Sequence, residues 1–222
     1  MYGREIDLDI REFLENHIDL IDQNNFTELY ERWPTKATTG QLTTVLLDCG
    51  INPLEYMTTV PDSYGYNTTI QSIEIPPHIH RIGEYSFAGC DQLKSVTIPN
   101  SVTSIGFCAF YWCTGLTSVT IGKSVTRIDV SAFGTCSNLK SVIIPDGVTF
   151  IGRSAFMHCE NLTTITIPNS VARIGTNAFY GCNKLVQISY NGTQAEWRRI
   201  QRADTSDLQH IKIQCIDGVI HT

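Results

Sequence analysis

Residues 93–113 read LKSVTIPNSVTSIGFCAFYWC, and residues 139–159, starting 46 positions later, read LKSVIIPDGVTFIGRSAFMHC. Between them residues 116–136 read LTSVTIGKSVTRIDVSAFGTC. Residues 162–182 follow with LTTITIPNSVARIGTNAFYGC, and residues 70–90 precede with IQSIEIPPHIHRIGEYSFAGC. Five copies recur at a period of 23 residues without insertion or deletion. A period in this range is the signature of a solenoid, in which each supersecondary unit stacks on its neighbours and cannot stand alone.

Within a unit the apolar residues keep fixed columns. Leu93, Val96 and Ile98 give the alternation of a short strand, with Ser95 and Thr97 turned the other way. Pro99 follows, and its missing N–H is expected to end the ladder; Pro76, Pro145 and Pro168 share the column, with Gly122 the exception. Val102 and Ile105 form a second apolar step, Ala109 and Phe110 enter the core, and Cys113 closes the unit. Each coil thus buries about eight apolar side chains, a gross gain on the order of 10 kcal/mol that chain entropy largely offsets.

The opening L-x-x-V-x-I with a closing Cys follows the logic of leucine-rich repeats. The longer string IP-x-x-V-x-x-I-G-x-x-A-F-x-x-C-x-x-L resembles the BspA-type leucine-rich repeat family, over residues 70–184. The resemblance implies a right-handed solenoid with a parallel sheet on one face and little helix. It also implies use as a cell-surface adhesin for host matrix proteins or other bacteria.

The flanks read as partial repeats and caps. SYGYNTTI (63–70) aligns with SFAGCDQL (86–93), which puts Asn67 in the cysteine column. After the last copy LVQISY supplies a further strand, NGTQAEWRRI a short helix carrying Ala195, Trp197 and Ile200, and IKIQC a final strand. Open solenoid ends need such covers. Upstream, Ile6, Ile10, Phe13, Leu14, Ile18 and Ile21 form one apolar helical stripe. Phe26, Leu29, Tyr30 and Trp33 form a second, and Leu42, Val45, Leu46 and Cys49 a third. The expected fold is therefore a mainly β, right-handed leucine-rich-repeat solenoid of 23-residue repeats with a small α-helical N-terminal cap domain. The cap covers 1–58 and the repeat domain 59–222, divided into a degenerate repeat (59–69), five full repeats (70–184) and a C-terminal cap (185–222).

Charge marks a boundary in the same place. Residues 1–69 carry 12 acidic and 4 basic side chains, against 10 acidic and 12 basic in residues 70–222. No basic excess points to nucleic acid. No window approaches the 18 consecutive apolar residues of a membrane span. MYGREIDLDI lacks the basic start and apolar run of a secretory signal, so the sequence as it stands reads as cytoplasmic; removal of an export signal would make it a surface or secreted chain.

Eight cysteines raise the question of disulfides or zinc. Cys90, Cys113, Cys136, Cys159 and Cys182 share one column with Asn67, where thiol and amide can both donate to a turn carbonyl. Ladder side chains run parallel and mis-set a disulfide torsion, so a buried structural ladder of reduced thiols is the expectation. His78 and His80 form a pair without a third ligand. No nucleophile elbow, zincin, phosphate loop or paired-acid signature occurs, so neither an enzyme nor a cofactor is expected. Asn25, Asn67, Asn161 and Asn191 head N-x-S/T triplets, three of them in turns where Asn has a backbone role.

What varies between copies is the pair before the closing Cys: Ala88-Gly89, Tyr111-Trp112, Gly134-Thr135, Met157-His158 and Tyr180-Gly181. Phe107 and Phe150 are bulky where other copies have Glu, Arg, Thr or Ser. Phe107, Tyr111, Trp112, Phe150, Met157, His158 and Tyr180 are accordingly the candidate protein-binding edge, with simple surface decoration as the competing account. The expected function is a non-enzymatic protein-interaction module, adhesion among its uses. The alternative is an intracellular binder or inhibitor of phage or mobile-element origin, acting through the acidic helical segment.

Overall fold

The computed structural model describes residues 50–202 and 211–221 together with Thr43, Thr44, Leu46, Leu47, Leu208 and Gln209. The stripes expected to form the first two helices lie outside the described residues. From the third stripe, Leu46 belongs to a helical stretch and is buried. The hydroxyl of neighbouring Thr43 donates to the Tyr64 carbonyl at 2.7 Å, so this stretch packs against the first coil.

From Leu93 onward each repeat coil contributes two short strands, and the coil before these contributes one. One sheet stacks β1 (Arg81–Ile82), β3 (Ser104–Ile105), β5 (Arg127–Ile128), β7 (Phe150–Ile151), β9 (Arg173–Ile174) and β11 (Gln201–Arg202), all parallel and in that order. The other side carries β2 (Ser95–Thr97), β4 (Ser118–Thr120), β6 (Ser141–Ile143), β8 (Thr164–Pro168), β10 (Gln187–Asn191) and β12 (Lys212–Cys215). Among the repeats, partners here lie one period apart, Val96 against Val119 and Val142 against Ile165, while β12 pairs with β10, 25 residues back, Ile213 against Ile188. The register is single-valued because a one-residue slip would turn every apolar side chain to solvent.

The expected proline stop is only partly what occurs. β8 runs through Pro168, which pairs with Asn191 of β10. Proline lacks a donor but keeps its carbonyl, so a last-position proline can still accept from the next coil. Hydroxyls also bind coil to coil. Thr103, Thr126 and Thr149 donate to the carbonyls of His80, Thr103 and Thr126 at 3.2, 3.2 and 3.3 Å.

The interior is a set of columns. Leu93, Val96, Ile98, Val102, Ile105, Ala109, Phe110 and Cys113 are all buried, and the same places are filled in the following coils. Phe87, Phe110, Phe133 and Phe156 stack on their successors with centroids 5.1, 5.2, 5.5 and 5.9 Å apart and interplanar angles of 14°, 1°, 6° and 6°.

The C-terminal end closes with a helix and a hairpin. Helix α1 (Gln194–Arg199) starts with a capping box: the Thr193 hydroxyl accepts from the Glu196 N–H, and the Glu196 carboxylate accepts from the Thr193 N–H at 2.7 Å. It sets Trp197 edge-on to Tyr190 at 5.1 Å, buried to 1% exposure. Strand β13 (Gly218–His221) then folds back antiparallel on β12, a hairpin additional to the single expected strand.

Candidate turn-edge interface

Between the two strand faces, the second of which is divided into the sheets β2-β4 and β6-β8-β10-β12-β13, each coil turns through an irregular stretch, and two of its columns have positive φ. The first holds Tyr85, Cys108, Ser131, Ser154 and Asn177 at φ 52–57°. The second holds Gly89, Trp112, Thr135, His158 and Gly181 at φ 76°, 62°, 59°, 56° and 74°. Glycine adopts this conformation without a Cβ penalty, whereas a bulky or β-branched residue there is strained. The turns are tied by backbone bonds one coil apart, such as Phe110 N–H to Ala132 O at 2.8 Å and Trp112 N–H to Gly134 O at 2.9 Å.

The thiol column lies under these turns. Cys113, Cys136, Cys159 and Cys182 donate to the carbonyls of Phe87, Phe110, Phe133 and Phe156 at 3.0, 3.1, 3.2 and 3.1 Å, each 26 residues back. Cys90 does the same to Gly65 at 2.9 Å. All five are free and buried. Burial pushes the Cys90 thiol up to about 12 and raises Cys136 well above its usual value. Cys159 is raised chiefly by its thiol contact with Cys182, then by burial.

Asn67 lies one residue short of this column. Its N–H donates to Ala88 O as that of Gly89 does to Tyr111 O, and its φ is 53°, so it is the counterpart of Gly89. Thr68 takes the thiol's place, with its hydroxyl 3.5 Å from Cys90 Sγ and donating to Gly65 O. The first coil is thus one residue shorter than the others, which the alignment at 23 could not register.

The candidate edge residues fall into separate groups. Tyr111 and Trp112 meet edge-on at 6.2 Å, with Trp112 58% exposed. His158 and Tyr180 meet at 5.5 Å, and Met157 is half-buried beside them in the chain. The small Gly134-Thr135 pair separates the two groups. Phe107 is edge-on to Tyr85 at 5.1 Å, and Tyr85 to Tyr66 at 6.4 Å, both tyrosines exposed. Tyr66 and Tyr85 escaped the sequence reading because the short first coil shifts Tyr66 into the Tyr111 column. Phe150 stands apart on the β7 strand face, under Arg127 at 4.2 Å and Arg173 at 5.8 Å.

The two histidines face carbonyls, His78 Nε2 3.0 Å from Leu54 O and His80 Nδ1 3.5 Å from Ser101 O. Asn161 donates to Ser137 O at 2.8 Å. Among the described residues no group of three or more His, Cys, Asp or Glu is placed to hold a metal, and no helix is long and apolar enough to cross a membrane.

The sequence pattern of the BspA type leucine-rich repeat region matches residues 58–186 in six copies. The chain belongs to the BspA-type leucine-rich repeat family. Similar solved structures include a leucine-rich cell surface protein from Faecalibacterium prausnitzii, 38% identical with a TM-score of 0.58 over 60% of this chain and 35% of that one. A leucine-rich repeat protein from Bacteroides ovatus is 30% identical, with a TM-score of 0.51 over 59% of this chain and 36% of that one. The leucine-rich repeat protein of T. pallidum is 28% identical, with a TM-score of 0.50 over 60% of each chain. This chain therefore spans between about a third and three-fifths of these proteins' lengths. No curated protein shows a significant match. The likeness supports a mainly β, right-handed solenoid of six coils.

Proposed function

We propose that this BspA-type solenoid is a non-enzymatic protein-binding module that works in adhesion at a cell surface, with the turn edge around Tyr111 and Trp112 as its contact. The observation that carries the reading is Trp112 itself. It is 58% exposed, holds a φ of 62°, and occupies a column where Gly89 and Gly181 serve at lower cost. Strain kept at an exposed aromatic residue is unexplained by folding and fits a residue retained for contact. Tyrosine and tryptophan supply rigid amphipathic area at small entropic cost, as binding hot spots do. The surface location draws support from the Faecalibacterium neighbour, described as a cell surface protein.

The test is binding of the immobilised chain to a panel of purified extracellular-matrix proteins and to neighbouring bacterial cells. Replacing Tyr111 and Trp112 together with Ser leaves the fold intact and weakens binding at least about tenfold, a change of about 1.4 kcal/mol. Wild-type binding to none of the panel, or unchanged binding by the double variant, overturns the reading.

A further inference from the structure

The rings on the turn edge of the first coils stand at near right angles in succession. Tyr66 and Tyr85 are inclined by 81° with centroids 6.4 Å apart, and Tyr85 and Phe107 by 80° at 5.1 Å. Tyr66 is 47% and Tyr85 37% exposed. Elsewhere in the molecule two rings are covered by arginines of this chain: Phe150 by Arg127 and Arg173, and the buried Trp197 by Arg202. Tyr66 and Tyr85 instead offer their rings outward.

The charged residues of these turns are acidic. The turn stretches 61–69, 84–92 and 107–115 contain Asp62, Glu84 and Asp91 and no Lys or Arg. Asp62 is partly countered by Arg81 at 3.9 Å. Glu84 precedes Tyr85 directly, and its field, after desolvation and Cys108, helps to raise the phenol's pKa. An aromatic face is itself negative and attracts a cation, more strongly as water is excluded. Perpendicular rings next to an acidic residue, over which no Lys or Arg of the described residues stacks, are complementary to a positive group.

We propose that the turn edge of the first three coils seats an arginine or lysine side chain from a basic segment of the partner protein, stacked on Tyr66 and Tyr85 and countered by Glu84. This deepens the proposed function and rests on it, since it gives the partner a charge and the edge a polarity.

The probe is a fluorescent Arg-Gly repeat peptide, compared with the same peptide in which neutral citrulline replaces every arginine, both titrated with the full chain at low salt. The arginine peptide is expected to bind at least tenfold more tightly. Glu84→Gln and Tyr85→Asn are each expected to weaken it at least fivefold, while Glu160→Gln on the fifth coil changes nothing. Asparagine suits the Tyr85 position because Asn177 holds the same column at φ 57°. Equal affinity for the two peptides, no binding of either, or insensitivity to both substitutions overturns the proposal. Matrix-protein binding that depends on Tyr111 and Trp112 but ignores peptide charge would sink this inference and leave the proposed function standing. Charge discrimination at Glu84 and Tyr85, with matrix binding indifferent to Tyr111 and Trp112, would do the reverse.

Discussion

The thiol of Cys136 donates to the carbonyl of Phe110, 3.1 Å away and one coil back. That oxygen also accepts the Cys113 N–H across the turn at 3.3 Å, and the thiol, a small buried donor, fills its second lone pair at little steric cost. The same bond recurs up the stack, so each column thiol has a carbonyl partner one coil back.

All eight cysteines are therefore expected to be alkylated when the protein is unfolded in denaturant without reductant, as read by intact mass. In the native state the five column thiols should react far more slowly than in denaturant, because they are buried. A majority left unmodified after denaturation would mean disulfides.

Alkaline pH should expose the same feature. A thiol in an unfolded chain ionises near the usual value of 9.0, whereas burial holds Cys90 up to about 12. The folded state favours the neutral form, so its contribution is full below about pH 9 and is lost as pH rises towards 12. The melting temperature is expected to fall above pH 9, and less steeply in Cys90→Thr, since Thr68 already fills that place in the preceding coil. Identical alkaline slopes would show that the thiol has no part in the decline.

Trp197 covers the last coil, fully buried against Tyr190. Trp197→Ala should cost roughly 3–5 kcal/mol and promote association through the uncovered end. Denaturant unfolding and sedimentation measure both; a monomer with unchanged stability would remove the capping role.

Trp112→Asn is expected to leave stability unchanged or to raise it by up to about 1 kcal/mol, because Asn tolerates the left-handed conformation that tryptophan adopts at a cost. Asn67 already does so in the equivalent position at φ 53°. Destabilisation by more than about 1 kcal/mol would show that Trp112 is retained for folding.

The core was legible because burial repeats: Phe87, Phe110, Phe133, Phe156 and Phe179 are at most 1% exposed, and a buried column tolerates little variation. The exposed edge was less legible, since exposure leaves no periodic trace. Phe107 and Phe150 look alike in the sequence yet lie on a turn and on a strand face. Tyr66 was hidden by the single residue missing from the first coil. The terminal hairpin did leave a signal, the Asp217-Gly218 doublet, whose second member has φ 137°.

Every bond that fastens one coil to the next spans a single step, whether it runs from thiol to carbonyl, from ring to ring or from threonine to the strand behind it. A coil is therefore a cassette whose two faces match. Loss or gain of one whole unit by recombination between near-identical copies would rejoin like surfaces, lengthening or shortening the molecule by one rung of roughly 4.8 Å. It would also exchange one outward pair for another, Gly-Thr for Tyr-Trp, without a new interior having to evolve. The outward edge can drift quickly on a body that hardly changes.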